Sequence, residues 1–314
     1  MLRAYAPDPE PYRADACPDW LDEIDLSLSG AHVRMGTHSL REDRWLTPDH
    51  HATVEVALRR RLLAEQRPLV FACTTFAEES AHQAAGMIDD WLASHSGVEL
   101  PEPVETHHLA RVGANVQEDL CLMVQHHGAW HLEGAVLCFP SLWVLSEKLG
   151  RPSELIHAPV PYYAEELNQR VNTFFDRLSP GKPVWRRNFS IWPNLLLWAP
   201  CHELDPSLHP HIRLPDGDPS GWLRSERQTL RRLPDSAAIL FTIRVQSAPL
   251  TVLRQRPDRA RDLAAWLRSP LGQVRRNQMG PMAEDLMSWL DAVGSARPRS
   301  DPEPVADNGQ HLLG

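Results

Sequence analysis

Trp222-Leu223-Arg224-Ser225-Glu226-Arg227-Gln228-Thr229-Leu230-Arg231-Arg232 is followed by the turn residues Pro234-Asp235-Ser236 and then by Ala237 to Val245. Two long runs flanking such a turn read as a β-hairpin, and this hairpin sets the fold class. Alternation along the first strand puts Arg224, Glu226, Gln228 and Leu230 on one face, and Ser225, Arg227, Thr229 and Arg231 on the other. A row of Arg, Glu and Gln on a face that would otherwise be core has two readings. It lines a polar pocket, or it is a solvated ladder of cross-strand ion pairs. In the pocket reading the guanidinium groups can clamp carboxylates of a ligand in a bidentate way.

Upstream of this hairpin the chain carries a second one. Leu120 to Val124 meets His126-His127-Gly128-Ala129 and then Trp130 to Phe139. Val184 to Ile191 and Leu195 to Trp198 read as short strands. Helical spacing predicts helices over 51–65, 76–95, 142–149, 164–178, 258–268 and 280–292. The sum is an α+β arrangement of about five antiparallel strands, with helices packed on one side and around the ends. Residues 1–34 form an extended, proline- and acid-rich N-terminal segment expected over the surface. Residues 35–294 form the single domain, and 295–314 make a tail with little to bury, expected to be disordered.

The 314 residues carry 32 basic against 41 acidic side chains, a formal charge of −9, with no long basic run, which excludes a nucleic-acid binder. No stretch is apolar and long enough to span a membrane, and the start lacks the apolar core of a signal peptide. The five cysteines, at 17, 73, 121, 138 and 201, show no close pairing, as expected for reduced thiols in the cytoplasm. No Gly-x-Gly-x-x-Gly precedes a helix and no Gly-x-Ser-x-Gly elbow is present, which argues against dinucleotide binding and hydrolase chemistry.

His157 is the leading ligand candidate. It precedes Ala158-Pro159-Val160-Pro161, where two prolines stiffen the backbone and can hold an imidazole at a fixed angle. The other reading is a histidine bonded to a carbonyl in an ordinary loop. A histidine beside arginines is what a haem needs, an imidazole for iron and cations for the propionates. Arg187 and Asn188 are further candidates for the same pocket as Arg224, Arg227 and Gln228. Glu118 and Asp119 are adjacent on a strand, so only one can enter a shared site, where a carboxylate holds a cationic amine or relays protons. Of Tyr162 and Tyr163, one can reach the pocket through its hydroxyl. The pairs His50-His51, His107-His108 and His126-His127 diverge as neighbours, and His202, His209 and His211 lack a zinc framework.

Cys138-Phe139-Pro140-Ser141-Leu142-Trp143, Ile156-His157-Ala158-Pro159-Val160-Pro161 and Arg224 to Leu230, in this order, resemble the haem-dependent oxidative N-demethylase family from about Met35 to Leu290. The resemblance implies a PAS-like α+β fold holding haem b. It also implies a monooxygenase that demethylates a small secondary amine, dimethylamine being the type substrate, with O2 and reductant, releasing formaldehyde. His157 would then be the proximal iron ligand, Arg224 and Arg227 the propionate partners, and Glu226 and Glu118 the amine-binding candidates. Electrons would come from a separate flavin or iron–sulfur reductase. A non-catalytic PAS-type haem sensor is the alternative; the absence of a sustained heptad favours the enzyme. The family is expected to carry Asn-Trp where this chain has Asn188-Phe189, a departure that bears on the substrate pocket more than on the haem.

Overall fold

The computed structural model describes residues 12, 17–26, 36–95, 105–141, 143–156, 168–199, 218–279 and 282–296. The strands are β1 (His38–Ser39), β2 (Phe71–Cys73), β3 (Glu118–His126), β4 (Ala129–Val136), β5 (Val184–Trp192), β6 (Trp222–Arg232) and β7 (Ile239–Pro249). They form one sheet in the order β1-β5-β6-β7-β3-β4-β2, with every neighbouring pair antiparallel. The helices are α1 (Ala52–Glu65), α2 (Arg67–Val70), α3 (Glu78–His95), α4 (His108–Gly113), α5 (Leu145–Lys148), α6 (Ser153–Ile156), α7 (Asn168–Arg177), α8 (Pro257–Arg268), α9 (Pro270–Met279) and α10 (Met282–Ser295).

Both expected hairpins form. In the first, His127 and Gly128 both take positive φ, 50° and 78°, the two-residue turn whose twist matches the flanking strands. In the second, β6 and β7 pair from Trp222↔Pro249 to Arg232↔Ile239. The sheet has seven strands rather than about five. The extra two, β1 and β2, are edge strands of two and three residues, too short to carry a period. Leu195 to Trp198 is not a strand; an isolated bridge joins Ala199 to Ser141. Of the helix expected over 142–149 only Leu145–Lys148 forms among the described residues. Helix α9 was not expected. Its corner with α8 is so tight that a Cβ at Gly272 would lie 2.0 Å from the Trp266 carbonyl oxygen.

Helices cover both faces of the sheet, not one. The face carrying Leu122 and Gly134 meets Ala77 at the start of α3, whose Ala81, Ala84, Ala85 and Ile88 are buried on successive helical turns. The opposite face meets α7 through Arg232, which donates to the Phe175 carbonyl at 3.1 Å, and through Trp130 Nε1, which donates to Asp176 at 2.9 Å. A second apolar cluster joins α8 and α10 to Leu223 and Ala248 of the sheet. Leu21 and Ile24, from the segment expected over the surface, are buried in that cluster, and Tyr12 is buried in the larger one.

Tyr12 stacks on His51 with ring centroids 3.9 Å apart and planes within 8°. Burial pushes the His51 imidazole down to about 4. The unfolded imidazole titrates near 6.5, so between these two values the unfolded chain binds the extra proton and stability falls as pH falls. The loss is complete below pH 4 and absent above pH 6.5, and amounts to roughly 2–3 kcal/mol. His51→Phe keeps the stacked ring and is expected to flatten this part of the pH profile. Urea midpoints at pH 7.5 and pH 4.5 test it; equal acid losses in both proteins would refute the assignment.

Candidate functional site

Strand β6 is buried along almost its whole length although most of its side chains are polar. A central strand of this kind must have its polar groups satisfied by tertiary partners. The register with β5 sets Asn188 opposite Glu226, Arg186 opposite Gln228 and Ser190 opposite Arg224. One face therefore carries a continuous polar chain. Arg186 Nε donates to Gln228 Oε1 at 2.7 Å, and Gln228 Nε2 donates to Glu226 Oε2 at 2.9 Å. Asn188 Nδ2 reaches the same oxygen at 3.1 Å, and the Ser141 hydroxyl donates to Glu226 Oε1. Arg224 Nε in turn donates to Ser141 Oγ at 3.1 Å.

Within this chain the side chains differ in access. Arg224 and Gln228 are buried, Glu226, Ser141 and Arg186 are half-buried, and Asn188 is exposed. Arg224 also donates to the carbonyls of Leu196 at 2.9 Å and Phe139 at 2.8 Å, and its guanidinium lies 4.6 Å from the Trp192 ring centroid. Burial lowers its pKa to about 10. Arg224 thus ties the 139–141 and 196–197 backbones over the sheet and holds Ser141 against Glu226. Both carboxylate oxygens of Glu226 face donors, and its half-buried position leaves it open to a cation.

The opposite face carries the other candidates. The registers align Arg187, Arg227, Arg244 and Glu118 across β5, β6, β7 and β3. Arg227 donates to the Trp45 and Arg44 carbonyls at 3.1 and 2.6 Å. Arg187 meets Glu23 at 2.6 Å and also donates to Ser225 and Gln246, and burial lowers its pKa to about 10. Arg244 pairs with Asp49 at 2.7 Å and Glu55 at 2.8 Å. Glu118 accepts from the Thr47 amide at 2.9 Å. A cavity of about 660 Å³ opens beside this network, lined by Trp20, Glu23, Asp49, His51, Trp91 and Arg187 among others. The structure therefore brings Arg224, Glu226 and Gln228 together and sets Arg187, Arg227 and Glu118 apart from them. Phe189, next to Asn188, turns to this second face and packs on Trp266 at 4.8 Å in the smaller core.

His157 and Tyr162, like Tyr163, lie outside the described residues. Their flanks are described. Ile156 ends α6, and its carbonyl accepts from Lys148 Nζ at 2.6 Å. Ser153 of α6 donates to Asn172 of α7 at 3.0 Å, and α7 covers the Glu226 side of the sheet. Arg186 and Ser141 are the members of the polar chain not picked out from the sequence. The signal for Arg186 was present only in the β5–β6 register, which sets it, not Arg187, beside Gln228.

Among the described residues no helix is long and apolar enough to cross a membrane. No curated protein matches the chain. The sequence profile of the family described as haem-dependent oxidative N-demethylase, alpha subunit-like, matches residues 91–277, more than half of the chain and all of β3 to β7. The chain belongs to the haem-dependent oxidative N-demethylase, alpha subunit-like family, a family of haem-dependent oxidoreductases.

Proposed function

We propose that this protein is a monooxygenase that removes a methyl group from a small secondary amine of the dimethylamine kind. One methyl carbon leaves as formaldehyde. The amine, O2, two electrons and two protons give the demethylated amine, formaldehyde and water. A separate flavin or iron–sulfur reductase supplies the electrons. The observation that carries this reading is Glu226, a half-buried carboxylate held by Ser141, Asn188 and Gln228 on the polar sheet face of a chain in this family.

The residues on that side suit a haem b in a PAS-like fold. Arg186 offers a cation there, and half-buried Val184, Phe174 and Phe241, packed against the core, offer apolar surface. Haem, when bound, supplies the one-electron oxygen chemistry. In this reading His157 holds the iron. The segment that contains it is flanked in sequence by α6 and α7, and α7 packs on the Glu226 side. Gln228 and Arg186 face the propionates, and Arg224 positions Ser141. Glu226 binds the protonated amine and orients the methyl group, because a carboxylate is an acceptor-only anion that matches an ammonium donor. Tyr162 is the remaining candidate for a proton donor.

The test is a haem titration of the purified chain followed by visible absorption, with His157→Ala in parallel, and a formaldehyde assay with dimethylamine and a reductase system. A Soret band that depends on His157, with amine-dependent formaldehyde, is the expected result. Haem binding without turnover of any small secondary amine would favour the sensor, and no Soret band would end the reading.

A further inference from the structure

The far end of the β3–β4 hairpin holds a cluster that no part of the demethylation chemistry uses. His126 precedes the two-residue turn, and His131 and Glu133 follow it on β4. Two residues apart on a strand, His131 and Glu133 share a face, and the cross-strand pairing brings His126 to it. The register shifts between Leu122 and Met123, where Glu133 is the extra residue of β4. A bulge of this kind re-aims a side chain. One ring nitrogen from each histidine and one carboxylate oxygen of Glu133 lie within 4.8 Å of one another.

We propose that His126, His131 and Glu133 form a binding site for a divalent transition metal ion such as Zn²⁺. Glu133 has only 3% of its side chain exposed, and the single ion pair it makes among the described residues is with His126, at 2.7 Å. A buried carboxylate with no lysine or arginine needs another positive partner. The two imidazoles stack with centroids 3.9 Å apart and planes within 11°, which sets both rings beside the carboxylate.

The surroundings fit coordination. His131 Nδ1 lies 3.1 Å from the Ala129 carbonyl, a contact that makes Nδ1 the protonated nitrogen and leaves the Nε2 lone pair for a metal. The Thr74 hydroxyl donates to Glu133 Oε2 at 2.5 Å, which fixes the carboxylate and leaves Oε1 turned to His126. His126 Nδ1 is buried with no hydrogen-bond partner, so the ring has a nitrogen to spare whichever one ligates. Phe76 stacks on the His126 ring at 4.5 Å and screens one side. Two imidazoles and a carboxylate suit zinc, with the remaining position taken by water, and suit magnesium or calcium poorly. The site lies on the sheet face opposite Glu226, so its ion would serve the hairpin and not the amine.

Calorimetric titration of the full chain with Zn²⁺, after chelation and removal of the chelator, tests the site. The expected result is one tight equivalent, weakened at least 100-fold in His131→Ala and in Glu133→Gln, and about tenfold in Thr74→Val, where only the outer hydrogen bond is lost. His107→Ala serves as the control, because Cys73, Glu78 and His107 form a second cluster of possible ligands on the same side. Loss of the tight equivalent in His107→Ala, with His131→Ala unchanged, would overturn the proposal. So would the absence of a tight equivalent in the wild type. Should His131→Ala fail to fold, the Thr74→Val affinity decides: an unchanged value counts against the site.

Discussion

Glutamine in place of Glu226 is expected to lower kcat/KM for a small secondary amine by on the order of 100-fold while the haem absorption stays as in the wild type. That factor corresponds to about 2.7 kcal/mol of transition-state stabilisation. Such an amine is a cation at neutral pH, and a charge-assisted hydrogen bond in a half-buried site is about twice as strong as a neutral one. Glutamine keeps the shape of the side chain and can still meet Ser141, Asn188 and Gln228, so the polar chain across β5 and β6 survives. What it removes is the negative charge. The signature is a raised KM together with a lowered kcat, because a poorly held amine also presents its methyl group less often in the reacting geometry. Turnover within threefold of the wild type, with a normal Soret band, would remove Glu226 from the amine site. The parallel substitution Glu118→Gln should leave turnover nearly unchanged, since Glu118 meets the Thr47 amide on the other face of the sheet.

Arg59→Ala should destabilise the fold by about 4 kcal/mol, in the range measured when one partner of a buried ion pair is removed. Arg59 and Asp119 have 0% and 1% of their side chains exposed and meet at 2.7 Å. Arg59 Nε also donates to the Gly113 carbonyl at 2.9 Å, which ties α1 to the end of α4. Asp119 accepts from the Cys138 amide at 2.7 Å and the Phe139 amide at 3.0 Å. Burial pushes the Asp119 carboxyl up, and the guanidinium beside it holds it down. Without Arg59 a carboxylate is left in the core, and it must take a proton or draw in water. Either response loosens the backbone at Cys138 and Phe139, whose continuation carries Ser141 to Glu226. Haem binding and amine turnover should therefore fall along with stability. The double variant Arg59→Met, Asp119→Asn should regain much of the loss, because no charge is left unpaired. Urea unfolding gives the number, and a loss below about 1 kcal/mol would show that the pair carries little.

Local elements were legible in the sequence because their signals are local. The period of α3, the apolar stripe of α7 and the turn at His127-Gly128 each depend on residues within a few positions of one another. The alternation of β6 was also legible, and it separated Glu226 and Gln228 from Arg227. The edge strands β1 and β2 escaped notice, being too short to show a period. Helix α9 was not among the expected helices, and its corner with α8 is tight enough to make glycine necessary at Gly272.

The sequence by itself determined the class of fold, two long hairpins with flanking helices, and the kind of chemistry its blocks resemble. It also determined which side chains share a face within any one strand. Only the tertiary structure decided which faces of different strands meet. The period of two relates neighbours on a strand, but pairing between strands is non-local, and a shift of one residue would exchange Arg186 for Arg187 beside Gln228. The same non-local register carried Glu118 to the arginine face and buried Asp119 against Arg59. It also brought His126 beside His131 and Glu133. No sequence spacing sets which buried charge meets which partner, because those partners come together only when distant segments close over the sheet.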